Sequence, residues 1–249
     1  MAKQRLDVML VERGLADSRE KAQRLILAGS VRVGGQLADK PGREVAADAA
    51  IEVAAPAPFV GRGGNKLEAA FQAFALDVAG KVCVDIGAST GGFTDCLLQH
   101  GAARVYAVDV GHGQLDWRLR NDPRVAVREG LNARYLSRAD VPEPFQFVVV
   151  DVSFISLTLI LPPVTTLIEP GGELVTLIKP QFEAGREKVG KGGVVRDPAV
   201  REEVVRQVRE FGEGTLALEW LGVCESPLRG PVGNVEFLAW WRKSVISNR

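Results

Sequence analysis

The chain has 249 residues, with 31 Lys and Arg against 31 Asp and Glu and a pI near 6.8, so its overall charge does not advertise a nucleic-acid binder and any such role must rest on local patches. Apolar residues at 46% suffice for one α/β core plus a small appendage. No run approaches the roughly 18 uninterrupted apolar residues of a membrane helix, and Met1-Ala2-Lys3-Gln4-Arg5-Leu6-Asp7 lacks a signal-type apolar region, which predicts a cytoplasmic protein.

In chain order, Arg5–Val11 has apolar residues at helical spacing and stops near Gly14. A second helix follows, capped by Asp17 or Ser18, with Ala22, Leu25, Ile26 and Leu27 on its apolar side and Gly29 as its C′ residue. Val31-Arg32-Val33 then reads as a strand entering a turn at Gly34-Gly35, with Ile51-Glu52-Val53 as the closing strand. Arg5, Arg19, Lys21, Arg24 and Arg32 occupy exposed positions of this unit and can track a phosphate backbone. Interleaved Asp7, Glu12, Asp17 and Glu20 leave a merely solvated face as the alternative. The pattern R-L-D…S-R-x-x-A-x-x-L-I-x-x-G-x-V-x-V-x-G, from Arg5 to Gly35, resembles the small S4-type RNA-binding domain shared by a ribosomal small-subunit protein, pseudouridine synthases and tyrosyl-tRNA synthetases. Gly35 stands where asparagine is more usual. Ala54-Ala55-Pro56-Ala57-Pro58 reads as an extended linker, giving an expected division into an RNA-binding domain at 1–54, a linker at 55–64 and a second domain at 65–249.

That second domain opens with a helix whose Leu67, Ala70, Phe71 and Phe74 form one stripe, placing Lys66 at a helix start where its charge opposes the macrodipole. Next comes the most informative stretch. Val82–Ile86 is a strand, Gly87-Ala88-Ser89-Thr90-Gly91-Gly92 a small-residue turn, and Phe93-Thr94-Asp95-Cys96-Leu97-Leu98 a helix. Such a turn lets a ligand approach bare backbone and the helix N-terminus. The dinucleotide fingerprint needs glycine at its middle position, and Ser89 fills it here, so a pyrophosphate ligand is disfavoured. Asp85, on the strand before the turn, suits a ligand with a sulfonium or ammonium charge and a single carboxylate, the pattern of S-adenosylmethionine. The following strand ends at Asp109, roughly 20 residues on, where a carboxylate accepts ribose hydroxyls. Expected cofactor contacts are therefore Asp85, Gly87, Ala88, Ser89, Gly91, Gly92, Phe93, Asp109 and Val110, with Asn132 at the adenine. A structural βα turn is the alternative.

Strands and helices continue to alternate: helix at Gln114–Leu119, strands Val125–Val127 and Phe145–Asp151, a helix after Ser153 broken or kinked at Pro162-Pro163, strand Glu173–Lys179, helix Pro198–Phe211 capped by Asp197, and strands near Leu216–Val223 and Val235–Trp241. The expected fold is α/β, a mostly parallel Rossmann-like sheet covered on both faces with an antiparallel hairpin at its edge. Cys83, Cys96 and Cys224 show no C-x-x-C pairing and read as reduced, buried thiols. For His100 and His112, neither with a partner nearby in sequence, structural or surface roles are expected, and no metal.

Asp151, Lys179 and Glu236 end or interrupt apolar strands, and a lysine there is costly to desolvate unless a carboxylate faces it. A structural ion-pair network at the sheet end is the alternative. The set Lys66, Asp151, Lys179 and Glu236 behind D-I-G-x-S-x-G-G-F resembles the FtsJ-like ribose 2′-O-methyltransferases, which use a Lys-Asp-Lys-Glu tetrad. With the N-terminal unit, and with G-x-x-K-L, V-D-V-S-F-I-S, L-I-K-P-Q-F-E and G-N-x-E-F, the chain resembles the TlyA family of rRNA cytidine 2′-O-methyltransferases, also labelled haemolysin A. The resemblance implies ribosomal subunits as partners, methylation of small-subunit and, in some members, large-subunit rRNA, and no metal. Lys179 is then the expected base, its pKa lowered by Lys66 and partial burial, with Asp151 and Glu236 orienting it. Pro180–Val195, with Arg186, Lys188 and Lys191, is either a lid over RNA or a plain mobile loop. Against this stand a membrane-active haemolysin, for which no apolar or basic amphipathic segment is visible, an α/β oxidoreductase, which Ser89 disfavours, and an RNA-binding module with an inactive methyltransferase fold.

Overall fold

A computed structural model of the chain describes residues 3–54 and 57–245. Two compact units result, Met1–Ala57 and Pro58–Arg249. Ala55 and Pro56 of the expected linker lie outside the described residues.

In the first unit, Lys3–Arg5 is a strand (β1) that runs directly into the helix Leu6–Glu12 (α1), so Arg5 is the extended N-cap of α1 and not its first turn. The reason is tertiary: β1 pairs antiparallel with Glu44–Ala46 (β4), and the Leu6 and Asp7 N–H groups donate to the Arg43 and Pro41 carbonyls. Three-residue strands carry too little pattern to be read alone. The second helix, Arg19–Leu27 (α2), is capped by Ser18, whose Oγ accepts from the Lys21 N–H at 3.2 Å. Val31–Val33 (β2) turns through Gly34 and Gly35 into Gln36–Leu37 (β3), and Ile51–Val53 (β5) pairs with the other side of β2. Leu6, Leu10, Ala22, Ile26, Val31 and Val45 fill the core of the unit.

The second unit begins with the helix Gly63–Phe74 (α3), two residues inside the segment expected as linker. Then come Val82–Ile86 (β6), Gly92–Gln99 (α4), Arg104–Asp109 (β7), Trp117–Arg120 (α5), Val125–Glu129 (β8), Phe145–Val150 (β9), Leu157–Leu167 (α6), Ile168–Ile178 (β10), Pro180–Glu183 (α7), Pro198–Leu216 (α8), Leu218–Glu225 (β11) and Phe237–Lys243 (β12). Seven strands form one sheet in the order β11-β12-β10-β9-β6-β7-β8. Its five strands from β10 to β8 are parallel, and β12 and β11 complete the edge antiparallel. This is the expected α/β Rossmann-like sheet.

Because strand side chains alternate faces, Val84, Ile86, Val148 and Val150 pack beneath α6 and α8, while Cys83, Phe147 and Val149 pack beneath α3 and α4. The prolines do not break α6: Pro162 and Pro163 sit in one continuous helix, anchored by buried Ile160, Leu161 and Val164, and the Thr165 and Thr166 hydroxyls donate to the Pro162 and Pro163 carbonyls. The segment after Lys179 is also more ordered than a plain loop. It contains α7, a 3-10 turn at Arg186–Lys188 and a Gly190–Val194 bridge. Buried Asn234 ties it down, accepting from the Val195 N–H and donating to the Gly193 carbonyl.

Candidate active site

The strand order reverses at β6, which lies between β7 and β9, and a ligand crevice opens at the carboxyl ends of strands at such a point. There the chain leaves β6 through Gly87, whose N–H donates to the Val108 carbonyl of β7. A Cβ at Gly87 would lie 2.3 Å from the Asp151 carbonyl oxygen, so only glycine lets the turn pass so close to the end of β9. Two residues on, Ser89 adopts φ +49°, a conformation costing a non-glycine residue on the order of 1–3 kcal/mol. It is held there by its N–H donating to Asp109 Oδ2 at 2.8 Å, while the Gly111 N–H donates to Asp109 Oδ1 at 2.7 Å.

A cavity of about 440 Å³ lies over these strand ends, lined by Gly87, Ser89, Asp109, Val110, Gln114, Asn132, Asp151, Ser153 and Phe154, among others. A smaller one of about 130 Å³ is bounded by Gly87, Ala88, Ser89, Gly92, Phe93 and Asp151. Asn132 also caps the 3-10 turn that follows it, its Oδ1 accepting from the Arg134 N–H at 3.1 Å.

Two expected cofactor residues do not reach either cavity. Alternation along β6 turns Asp85 onto the α4 side, where it is fully buried and accepts from the Thr94 hydroxyl at 2.7 Å. It fastens α4 to β6, and burial pushes its carboxyl up to about 7, the Thr94 bond opposing the rise and the charges of Asp151 and Asp109 adding to it. Gly91 faces Leu115 and Leu119, a Cβ there lying 2.2 Å from Leu119 Cδ1, so its part is to seat the start of α4.

The four expected catalytic residues form two ion pairs, and of the four Asp151 lines both cavities. Lys179 Nζ lies 2.6 Å from Asp151 Oδ1 and donates to Ser153 Oγ at 2.9 Å. Lys66 Nζ donates to Glu236 Oε2 at 2.5 Å. Sheet register sets them side by side: Ile178 of β10 faces Phe237 of β12, so Lys179 and Glu236 flank that ladder's end, and Asp151 follows the last residue of adjacent β9. All four are largely buried, with 9% of the Lys179 and 1% of the Glu236 side chain exposed. Buried charges persist only when paired, and a lysine in the first turn of α3 becomes intelligible once Glu236 faces it.

Sequence reasoning missed three residues here. Ser153 holds Lys179, and Gln114 accepts from the Ser89 hydroxyl at 3.3 Å. Phe154, 91% exposed with φ +63°, stands at the rim of the cavity, its ring 5.1 Å from that of Phe182. The one signal for Phe154 was a phenylalanine directly after Ser153 in V-D-V-S-F-I-S.

Comparison with known proteins gives the same reading of the architecture. An FtsJ-like methyltransferase model matches residues 59–243 and an S4 domain model residues 4–51. YqxC of Bacillus subtilis, named as a candidate rRNA methyltransferase, is 51% identical over 240 residues, 95% of this chain and 84% of that protein. TlyA of Mycobacterium tuberculosis, named a 16S/23S rRNA (cytidine-2′-O)-methyltransferase, is 48% identical over 244 residues, 96% of this chain and 89% of its own. The chain belongs to the TlyA family of FtsJ-like methyltransferases. A solved structure of a hemolysin-labelled protein from Streptococcus thermophilus matches this TlyA-family chain with a TM-score of 0.75 at 44% identity, covering 98% of this chain and 90% of the other. Among the described residues no helix is long and apolar enough to cross a membrane.

The S4 unit of this TlyA-family protein exposes all five expected RNA contacts, Arg5, Arg19, Lys21, Arg24 and Arg32. Several are held by neighbours. Buried Asp7 accepts from Arg5 Nε and Nη2 at 3.1 and 2.9 Å, from Arg19 Nε at 3.0 Å and from Gln23 at 2.9 Å, and these partners hold its carboxyl well below the usual range. Lys21 pairs with Asp17, and Arg32 donates to the Gly35 carbonyl at 2.9 Å. Cys83, Cys96 and Cys224 are free thiols, the first two buried.

Proposed function

We propose that this TlyA-family methyltransferase transfers a methyl group from S-adenosylmethionine to the 2′-hydroxyl of a cytidine ribose in ribosomal RNA, of the small subunit and also of the large. The observation that carries the reading is the pairing of Lys179 with Asp151, which lines the glycine-turn cavity, and of Lys66 with Glu236. The residues around the turn suit the cofactor. The cavity has the volume of an ordinary small-molecule site, Asp109 offers a carboxylate to ribose hydroxyls, and a serine rather than glycine at position 89 suits a ligand without a pyrophosphate. Gly87, Ala88, Ser89, Gly92, Phe93, Asp109, Val110 and Asn132 are the residues that would hold it. S-adenosylmethionine supplies an electrophilic methyl group.

A ribose hydroxyl is a poor nucleophile, and Lys179 is the group placed to take its proton. Asp151 and Ser153 fix the direction of Lys179 Nζ, while Lys66, anchored by Glu236, sits beside the developing oxyanion. Holding hydroxyl and donor in near-attack geometry contributes much of the rate. Phe154 offers an exposed ring for the target base, since unpaired bases stack on aromatic side chains. Arg5, Arg19, Lys21, Arg24 and Arg32 contact the RNA backbone through counterion release. The name of the Mycobacterium tuberculosis relative, which covers both 16S and 23S rRNA, supports both subunits as substrates. Ribosomes as partners imply a cytoplasmic place of work.

The test is transfer of labelled methyl from S-adenosylmethionine to separated, unmodified ribosomal subunits by this protein and its Lys179→Ala variant. Label recovered as 2′-O-methylcytidine with the unmutated protein alone is the expected result. An unchanged rate in Lys179→Ala would remove Lys179 from its role, and no label in either subunit, with the cofactor bound, would overturn rRNA as the substrate.

A further inference from the structure

Outside the paired lysines and carboxylates, three side chains of different chemistry converge between α3 and α4. Cys96 and His100 lie four residues apart on α4 and its C-cap, on one face, and Glu68 reaches them from α3. Their ligand atoms all lie within 4.8 Å of one another. Glu68 Oε2 is the meeting point, 2.7 Å from His100 Nε2 and 3.9 Å from Cys96 Sγ. His100, read from sequence as partnerless, is partnered by the fold.

Two of the three residues are also held from behind, as metal ligands are. Gln72 Nε2 donates to Glu68 Oε1 at 3.0 Å, leaving Oε2 for the cluster. The His100 ring stacks on Phe71 with centroids 3.7 Å apart and planes within 5°. Cys96 is buried, whereas the Glu68 and His100 side chains are 31% and 33% exposed, so the cluster opens to solvent on one side. A hydrogen bond joins Glu68 to His100, and the Cys96 thiol reaches them from the core as the third vertex.

We propose that Glu68, Cys96 and His100 form a binding site for a zinc-class divalent cation, with water in the fourth position. One thiolate, one imidazole and one carboxylate form a donor set that suits zinc and that the oxygen-seeking calcium and magnesium ions would refuse. Bond lengths of about 2.0–2.3 Å in a tetrahedron put ligand atoms roughly 3.3–3.8 Å apart, so Glu68 Oε2 and His100 Nε2 move apart on binding. Both side chains are exposed enough to do so. The Cys96 proton is released to solvent as the thiolate takes up the metal. The bound ion cross-links α3, which carries Lys66, to α4, which starts at the glycine turn, and so stiffens the frame of the active site without touching substrate.

The experiment uses the full chain, stripped with chelator and kept reduced, in equilibrium dialysis against Zn²⁺, with Co²⁺ as a spectroscopic stand-in. About one equivalent of Zn²⁺ is expected, with a thiolate-to-cobalt charge-transfer band in the Co²⁺ form. His100→Gln, at a partly exposed position and with its fold checked by circular dichroism, should weaken binding by at least about tenfold, and Cys96→Ser should remove the band. Zn²⁺ should raise the melting temperature of the unmutated protein and not of His100→Gln. Uptake well below one equivalent, equal uptake by His100→Gln, or a Co²⁺ complex with no thiolate band would each overturn the site.

Discussion

Asp85 shows how one buried carboxyl can be read in two ways. From sequence it is a cofactor ligand; in the fold it is a sealed fastening between β6 and α4, with its carboxyl raised from 3.8 to about 7. An acid whose folded pKa is raised loses stability as pH climbs from the unfolded to the folded value, because only the unfolded chain gives up its proton there. Stability should therefore fall between about pH 4 and 7 by an amount on the order of 4 kcal/mol from this group. Asp85→Asn should flatten that part of the profile in denaturant titrations, and an unaltered slope would count against the assignment. Phe154 makes the opposite case, since its exposed ring and positive φ contribute nothing to the core. Phe154→Ala should leave the melting temperature nearly unchanged while lowering kcat/KM on rRNA, by an amount matching the roughly 1–3 kcal/mol of one base–aromatic stack; kinetics with saturating cofactor would reveal it.

Among the elements, the start of α4 is a tight joint. A Cβ on Gly92 would lie 2.8 Å from the Gly64 nitrogen and 3.0 Å from the Gly61 carbonyl oxygen, all backbone and unable to swing aside. Gly92→Ala should push the first turn of α3, and Lys66 with it, away from the turn. The expected result is a fall in kcat of about a hundredfold, the scale of a displacement of about 1 Å, with the affinity of the S4 unit for RNA intact. Equal losses in both would point to general unfolding. A second joint links α6 to α7: Glu183 accepts from the Leu157 N–H at 2.8 Å and from the Ser156 hydroxyl at 2.6 Å, satisfying the open end of α6 from across the chain. Glu183→Ala should cost about 1 kcal/mol, as the loss of a helix cap does, measurable as a shift in the chemical denaturation midpoint.

For the molecule as a whole, the proposed function divides the labour between the S4 unit, which binds RNA, and the second unit, which binds the cofactor. Backbone contacts by the S4 unit should make rRNA binding steeply salt-dependent, the slope of log affinity against log salt falling by about 1 for each phosphate-contacting cation removed. Replacing Arg19 and Arg24 together by glutamine should lower that slope by about 2 and raise KM for ribosomal subunits, with cofactor affinity unchanged. A weakened cofactor complex in that variant would contradict the division.

Most of the fold was legible in the sequence, because repeated βα units, the glycine turn, Asp197 before Pro198 and the proline-rich final hairpin each act through local backbone preferences. Much of the site was legible too: Lys66, Asp151, Lys179 and Glu236 stood out as polar residues at the ends of apolar elements, where burial without a partner is too costly to be accidental. Sequence alone thus determined the elements and the residues that had to find partners. Tertiary structure decided which partners they found, pairing Lys179 with Asp151 and Ser153, Lys66 with Glu236, and His100 with Glu68, because strand register and the face of each side chain bring together residues up to 170 positions apart. It also turned Asp85 inward, paired β1 with β4 and carried α6 through two prolines, since in each case long-range packing and hydrogen bonds outweighed the local signal.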